Sequence, residues 1–69
     1  MSILENWGVI GGDVYGDVYN DSRWIDGHFI RISEVIDTDI NEMVKGDIIK
    51  TKNSTYLLGN NDENRIKWK

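Results

Sequence analysis

The chain has 69 residues and a formal charge of −4 at pH 7, which is room for one domain, residues 1–69, and no more. A domain of this size is marginal on its own core, and with no cysteine and one histidine it has neither disulfides nor a thiolate or histidine-cluster metal site to staple it. The acidic balance also excludes a general electrostatic attraction to nucleic acid. Self-association is the remaining remedy for smallness, so a homo-oligomer is expected. Met1 to Asn6 lacks a basic region and a long apolar run, so neither a signal peptide nor a membrane span is read, and a cytoplasmic location is expected.

Val, Ile, Thr, Tyr and Trp are abundant, and alanine and proline are absent. That composition suits pleated strands, with turns made by Gly, Asn, Asp and Ser. The first strand is predicted over Asn6 to Ile10, after which Gly11-Gly12 lets the chain bend or bulge. Gly12-Asp13-Val14-Tyr15 is then repeated as Gly16-Asp17-Val18-Tyr19. In a strand this puts Val14, Gly16 and Val18 on one face and Tyr15, Asp17 and Tyr19 on the other, a half-buried strand with one aromatic face. After a loop at Asn20-Asp21-Ser22, Asp26-Gly27 stands between Arg23-Trp24-Ile25 and His28-Phe29-Ile30-Arg31-Ile32. Asp-Gly between apolar-rich runs predicts a type I′ hairpin, with Ile30 and Ile32 inward and Arg31 outward.

Asp37 to Lys45 has two readings. Thr38 or Asp39 caps one helical turn near 39–45, with Glu42 completing a capping box and Ile40, Met43 and Val44 facing the core, or the segment is an irregular loop. Asp47 to Thr51 and Thr55 to Leu58 form a strand pair turned by Lys52-Asn53-Ser54. The polar tail from about residue 60 reads as solvated, with Arg65 to Lys69 either an edge strand or loose. The sum is an all-β chain: a small five- or six-stranded antiparallel barrel or a strongly bent sheet, with the short helical turn optional.

Catalytic and metal sites are poorly supported. Asp37-Thr38-Asp39-Ile40-Asn41 imitates the start of a calcium loop, but Glu42 replaces the glycine and Ile48 the final glutamate. His28 has Asp26 and Ser33 nearby in sequence, a trio that any short chain offers, and the plainer reading is an exposed turn histidine. The glycines form no phosphate-binding loop. No enzyme, cofactor or metal is therefore expected. Arg23, Trp24 and Arg31 are more promising, because guanidinium forks suit phosphate and indole offers a stacking face. Ser33, Thr51, Asn53, Ser54 and Tyr56 complete a candidate ligand set for a small polar molecule, if they converge. In the plainer reading Trp24 fills the core, Arg23 pairs with a nearby acid, and Asn53-Ser54 turns the chain.

Trp7-Gly8, Val18-Tyr19, Arg23-Trp24, Asp26-Gly27, Ile30 to Ser33 and Thr51 to Gly59 resemble a pattern in small β-barrel proteins of phages and prophages. The pattern pairs an early Trp and a VY strand with R-[FW]-x-D-G-x-x-I-x-x-S and T-x-N-S-x-Y-x-L-G. It spans most of the chain between Trp7 and Gly59. The VY unit is doubled here, and Ile32 stands where threonine is usual, which weakens any ligand role borrowed for that position. The resemblance implies a phage setting and no chemistry. The leading expectation is a non-enzymatic anti-defence binding protein, in sharper form a homo-oligomeric sponge for a nucleotide-derived immune signal held by Arg23 and Arg31, with Trp24 or Tyr56 stacking on the base. The alternatives are an acidic inhibitor that meets the basic groove of a host defence nuclease, and a structural or regulatory phage domain.

Overall fold

A computed structural model describes residues 1–32 and 34–62. It is all-β: β1 (Ser2–Ile10), β2 (Asp13–Tyr19), β3 (His28–Arg31), β4 (Ile48–Lys50) and β5 (Thr55–Leu58), with one 3-10 turn at Ile40–Glu42. The strands form a single five-stranded sheet in the order β3-β2-β1-β5-β4. Three pairings are antiparallel, and β1 runs parallel to β5, with Ser2 opposite Tyr56 and Leu4 opposite Leu58. The sheet is open and bent. Ile32 still donates its N–H to the Val14 carbonyl at 3.0 Å, and the chain then crosses to the far edge, where Ile36 donates to the Lys50 carbonyl at 2.9 Å. A lone bridge, Val35 with Thr51, spans the gap there, without a ladder.

The type I′ hairpin lies elsewhere than the sequence suggests. Val9 pairs with Val14 and Ile10 with Asp13, so Gly11-Gly12 is a two-residue hairpin loop. Their φ values of 59° and 87° are the positive pair that this turn needs and that glycine adopts without strain. At Asp26-Gly27 only the glycine has positive φ, 89°. His28 N–H bonds the Ile25 carbonyl at 3.0 Å, giving the sign pattern of a type II turn. Arg23-Trp24-Ile25 is accordingly loop, and β3 pairs instead with β2.

β1 starts four residues earlier than predicted because an irregularity hides it. Glu5 faces Asp17 and Gly8 faces Tyr15, so β1 carries one more residue than β2 over that stretch. This β-bulge has Asn6 at φ 51°. It brings both Leu4 and Trp7 inward, a spacing of three that a regular strand forbids. Trp7 fixes the bulge by donating its indole N–H to the Gly59 carbonyl at 3.0 Å.

The core gathers Leu4, Trp7, Val14, Val18, Ile30, Ile32, Met43, Ile49, Tyr56 and Leu58. Gly16 sits on the inward face, as its period-two position predicts, because β1 packs too closely for a side chain. A Cβ there would lie 2.7 Å from Leu4 Cγ and 3.1 Å from the Glu5 carbonyl oxygen. Of the three apolar residues assigned to the helical turn, Met43 is buried and Ile40 packs on the core, but Val44 is exposed. The turn is 3-10, with Asp39 as its cap, accepting from the Asn41 N–H at 2.9 Å.

The start of the polar tail is exposed at Asn60 and Asn61 and is also tied to β1. Asn60 N–H bonds the Glu5 carboxylate at 2.9 Å, and Trp7 exchanges backbone bonds with Asn60 and Asp62. Residues 60–62 thus run alongside β1 beyond its bulge. The expectation for Arg65 to Lys69 lies outside the described residues.

Candidate functional site

The eight candidate ligand residues divide into separate places, and Ser33 is outside the described residues. Arg23, Trp24 and Tyr56 come together at one end of the sheet. There the loop after β2 folds back so that Asp21 sits beneath Arg23. Asp21 Oδ1 accepts from Arg23 backbone N–H and Nε, both at 2.9 Å, and Oδ2 accepts from Arg23 Nη2 at 2.7 Å and the Ser2 hydroxyl at 2.7 Å. Arg23 Nη2 also donates to the Tyr56 hydroxyl at 3.3 Å, and the guanidinium lies 4.4 Å from the Trp24 ring centroid. The carboxyl of Asp21 is held well below the usual carboxylate range by the side-chain hydrogen bonds from Arg23, against the opposing effect of burial. Arg23 is raised above its ordinary value, first by the same bonds. The corner ties β1, the 20–27 loop and β5 into one network, and it consumes the charge that a phosphate would need.

Thr51, Asn53 and Ser54 are a turn device. The Thr51 hydroxyl accepts from Ser54 N–H at 3.1 Å and Asn53 N–H at 3.4 Å and donates to the Ser54 carbonyl at 3.1 Å. Thr51 is buried and its hydroxyl is engaged on every side. Arg23 pairs with a nearby acid and Asn53-Ser54 turns the chain, while Trp24 is partly buried against the core without filling it.

Arg31 stands apart. It is the last residue of β3, opposite Tyr15, between inward-facing Ile30 and Ile32. Its guanidinium points outward, with its Nη1 3.8 Å from Asp13 Oδ2; the two side chains are 63% and 50% exposed. An exposed pair at that distance contributes little. Beside it Tyr15 and Phe29 stack with centroids 5.7 Å apart and planes at 10°. Phe29 and Tyr19 are exposed large apolar side chains, and Ile25 at the loop tip is 85% exposed. Tyr15 and Phe29 are functional candidates absent from the ligand set, although strand alternation already places both on the face that carries Arg31.

The other candidate chemistry dissolves into structure. Asp26 Oδ1 accepts from Asn20 N–H at 2.8 Å, so it holds the loop rather than orienting His28. Asp37 caps the Lys50 N–H at 3.0 Å and Asp39 caps the 3-10 turn, so the calcium-like string is spent on backbone. Among the described residues no three acids or histidines gather into a metal-binding group. A cleft of about 470 Å³ opens between Gly12–Val14, Ile32, Glu34, Val35, Thr38 and Ile40, and none of the described residues of the predicted ligand set lines it.

No protein-family model, curated protein or solved structure matches the chain.

Proposed function

We propose that this chain is a non-enzymatic anti-defence binding protein that holds a basic host protein against the outer face of β2 and β3, acting in the host cytoplasm in the phage setting that the resemblance implies. One observation carries the reading: Tyr15 and Phe29 stack on the solvent side of the sheet, next to Arg31. Phe29 is exposed and Tyr15 half-buried, and aromatic residues and arginine are enriched at protein interfaces. The net charge of −4 favours a basic partner by steering and complementarity. The test is capture from host lysate with wild-type protein and with Tyr15→Ser and Phe29→Ser. The expected result is one basic protein, released by salt, retained by wild type and lost with either variant. Equal recovery by all three proteins would place binding elsewhere.

A second reading keeps the sponge. Among the described residues Arg31 is held by the long contact to Asp13 and its side chain is 63% exposed, so its guanidinium is accessible to a phosphate while a base stacks on the neighbouring ring. A second copy of the chain would complete such a site. This reading moves the sponge's ligand set from Arg23, Trp24 and Tyr56 to Arg31, Tyr15 and Phe29. Native mass spectrometry with cyclic nucleotides decides it. A dimer or larger assembly retaining nucleotide supports the sponge, and a bare monomer removes it.

A further inference from the structure

We propose that the outer face of the sheet binds a second copy of this chain, face to face, through an apolar row that crosses four strands. Strand alternation sends Tyr19, Ile3, Leu57 and Ile48 outward, because their chain neighbours Val18, Leu4, Tyr56, Leu58 and Ile49 are buried in the core. The register then sets the four side by side. Ile3 lies opposite Tyr19 on one side and Leu57 on the other, and Leu57 lies opposite Ile48. The row thus runs unbroken from β2 through β1 and β5 to β4. Tyr19 and Ile48 are 36% and 54% exposed. Ile3 and Leu57 are half-buried, yet among the described residues neither joins the core nor packs against it. A sheet with one solvated face ordinarily alternates apolar inside with polar outside. Four apolar residues in register on the solvent side break that pattern, and contiguous exposed apolar patches mark interaction sites.

The charges beside the row choose the occupant. Two residues along the strands on one flank stand Glu5 and Asp17, opposite each other on β1 and β2. On the other flank stands exposed Lys50, opposite Thr55. The row itself is uncharged. A two-fold axis along the row lays the row of one copy on the row of the other, an isologous contact in which each residue meets its own counterpart. The same axis sets the acidic flank of one copy over the basic flank of the other. An axis along the strands would set like flanks together, so the charges select the first. A standard interface takes about 800 Å² from each partner, less than a fifth of the chain's 4514 Å² of surface, and one broad side of a sheet five strands wide can supply it. Sheets stacked about 10 Å apart give a 69-residue chain a second buried layer beyond its own marginal core.

The row does not depend on either binding reading above. Tyr15 is four residues from Tyr19 along β2, about 13 Å away, so capture through Tyr15 and Phe29 is a separate event. The test is sedimentation velocity of the full chain, without ligand, over a concentration series for wild type, Ile48→Glu and Ile48→Lys. Ile48 is exposed, so these changes spare the core. A wild-type-like amide spectrum reports that each variant is folded, and Tyr19→Glu with Tyr19→Lys serve if either unfolds. Wild type is expected to dimerise. Each variant alone is expected to weaken the dimer about a hundredfold or more, since the axis brings two like charges together. An equimolar mixture of the two variants is expected to recover it, because opposite charges then meet across the axis. Monomeric wild type, a dimer that both variants retain, or a mixture that stays monomeric would overturn the assignment. If wild type is monomeric and Ile48→Glu instead loses the basic host protein, the row belongs to that partner and not to a second copy. A failed dimer leaves the partner capture of Tyr15 and Phe29 untouched, and the reverse also holds.

Discussion

Two arginines in this chain sit beside aromatic rings and have opposite fates. Arg23 lies over Trp24, but its guanidinium is committed to a carboxylate that is only 4% exposed, which is itself tied to Ser2. Arg31 lies beside the Tyr15–Phe29 stack and, among the described residues, faces an exposed carboxylate at 3.8 Å. The difference is geometric. Asp21 is two residues from Arg23 in a loop that folds back, so one carboxylate bridges its backbone and its side chain. Arg31 is in an edge strand, where alternation sends it to solvent. Residue type alone therefore does not mark a binding arginine; the partner already present decides.

The comparison predicts a graded series. Asp21→Ala removes the acceptor of four hydrogen bonds and should destabilise the fold by about 2–3 kcal/mol, lowering Tm by roughly 10–20 °C for a domain of this size. Arg23→Ala leaves Asp21 with its Ser2 contact and exposes it, and should cost about 1–2 kcal/mol in urea unfolding. The corner should also be acid-sensitive. Because the folded carboxyl of Asp21 is held below its ordinary value, chiefly by Arg23, its contribution is full above about pH 5 and declines as pH falls through the unfolded carboxylate range near 4 and below. Wild type should lose more stability than Asp21→Asn between about pH 5 and pH 2, and parallel acid melts would break the claim.

On the open face, Tyr15→Ser or Phe29→Ser should cost less than about 1 kcal/mol, since each loses one stacked partner at the surface. Arg31→Ala should stay within about 0.5 kcal/mol of wild type. A large loss of stability from Arg31→Ala would erase the distinction between the two regions.

Much of this fold is legible in the residues, and the failures are specific. Period-two alternation gave β2, β3 and the β4–β5 pair, including Gly16 inward against Leu4. The β1 register was not legible, because Leu4 and Trp7 are spaced by three and only the bulge at Asn6 reconciles them with one strand. The parallel pairing of β1 with β5 joins segments more than fifty residues apart, and nothing local encodes it. Asp26-Gly27 carries the strongest hairpin dipeptide in the chain, yet Gly27 donates to the Val18 carbonyl at 2.7 Å and Asp26 holds Asn20. The tertiary contacts of the loop overrode the local preference, and Gly11-Gly12 makes the tight turn instead. For the site, Arg31 outward was readable, whereas the capture of Arg23 by Asp21 depends on loop geometry. The cleft forms where the chain leaves β3 and crosses the sheet, a place with no signature in sequence.

The most direct test compares the two arginines in one assay: capture of the salt-sensitive basic partner by wild type, Arg23→Ala and Arg31→Ala at a temperature where all three are folded. Full recovery with Arg23→Ala and loss with Arg31→Ala is the predicted result. Loss with Arg23→Ala and full recovery with Arg31→Ala would contradict the account, because the corner, and not the open face, would then be the binding site.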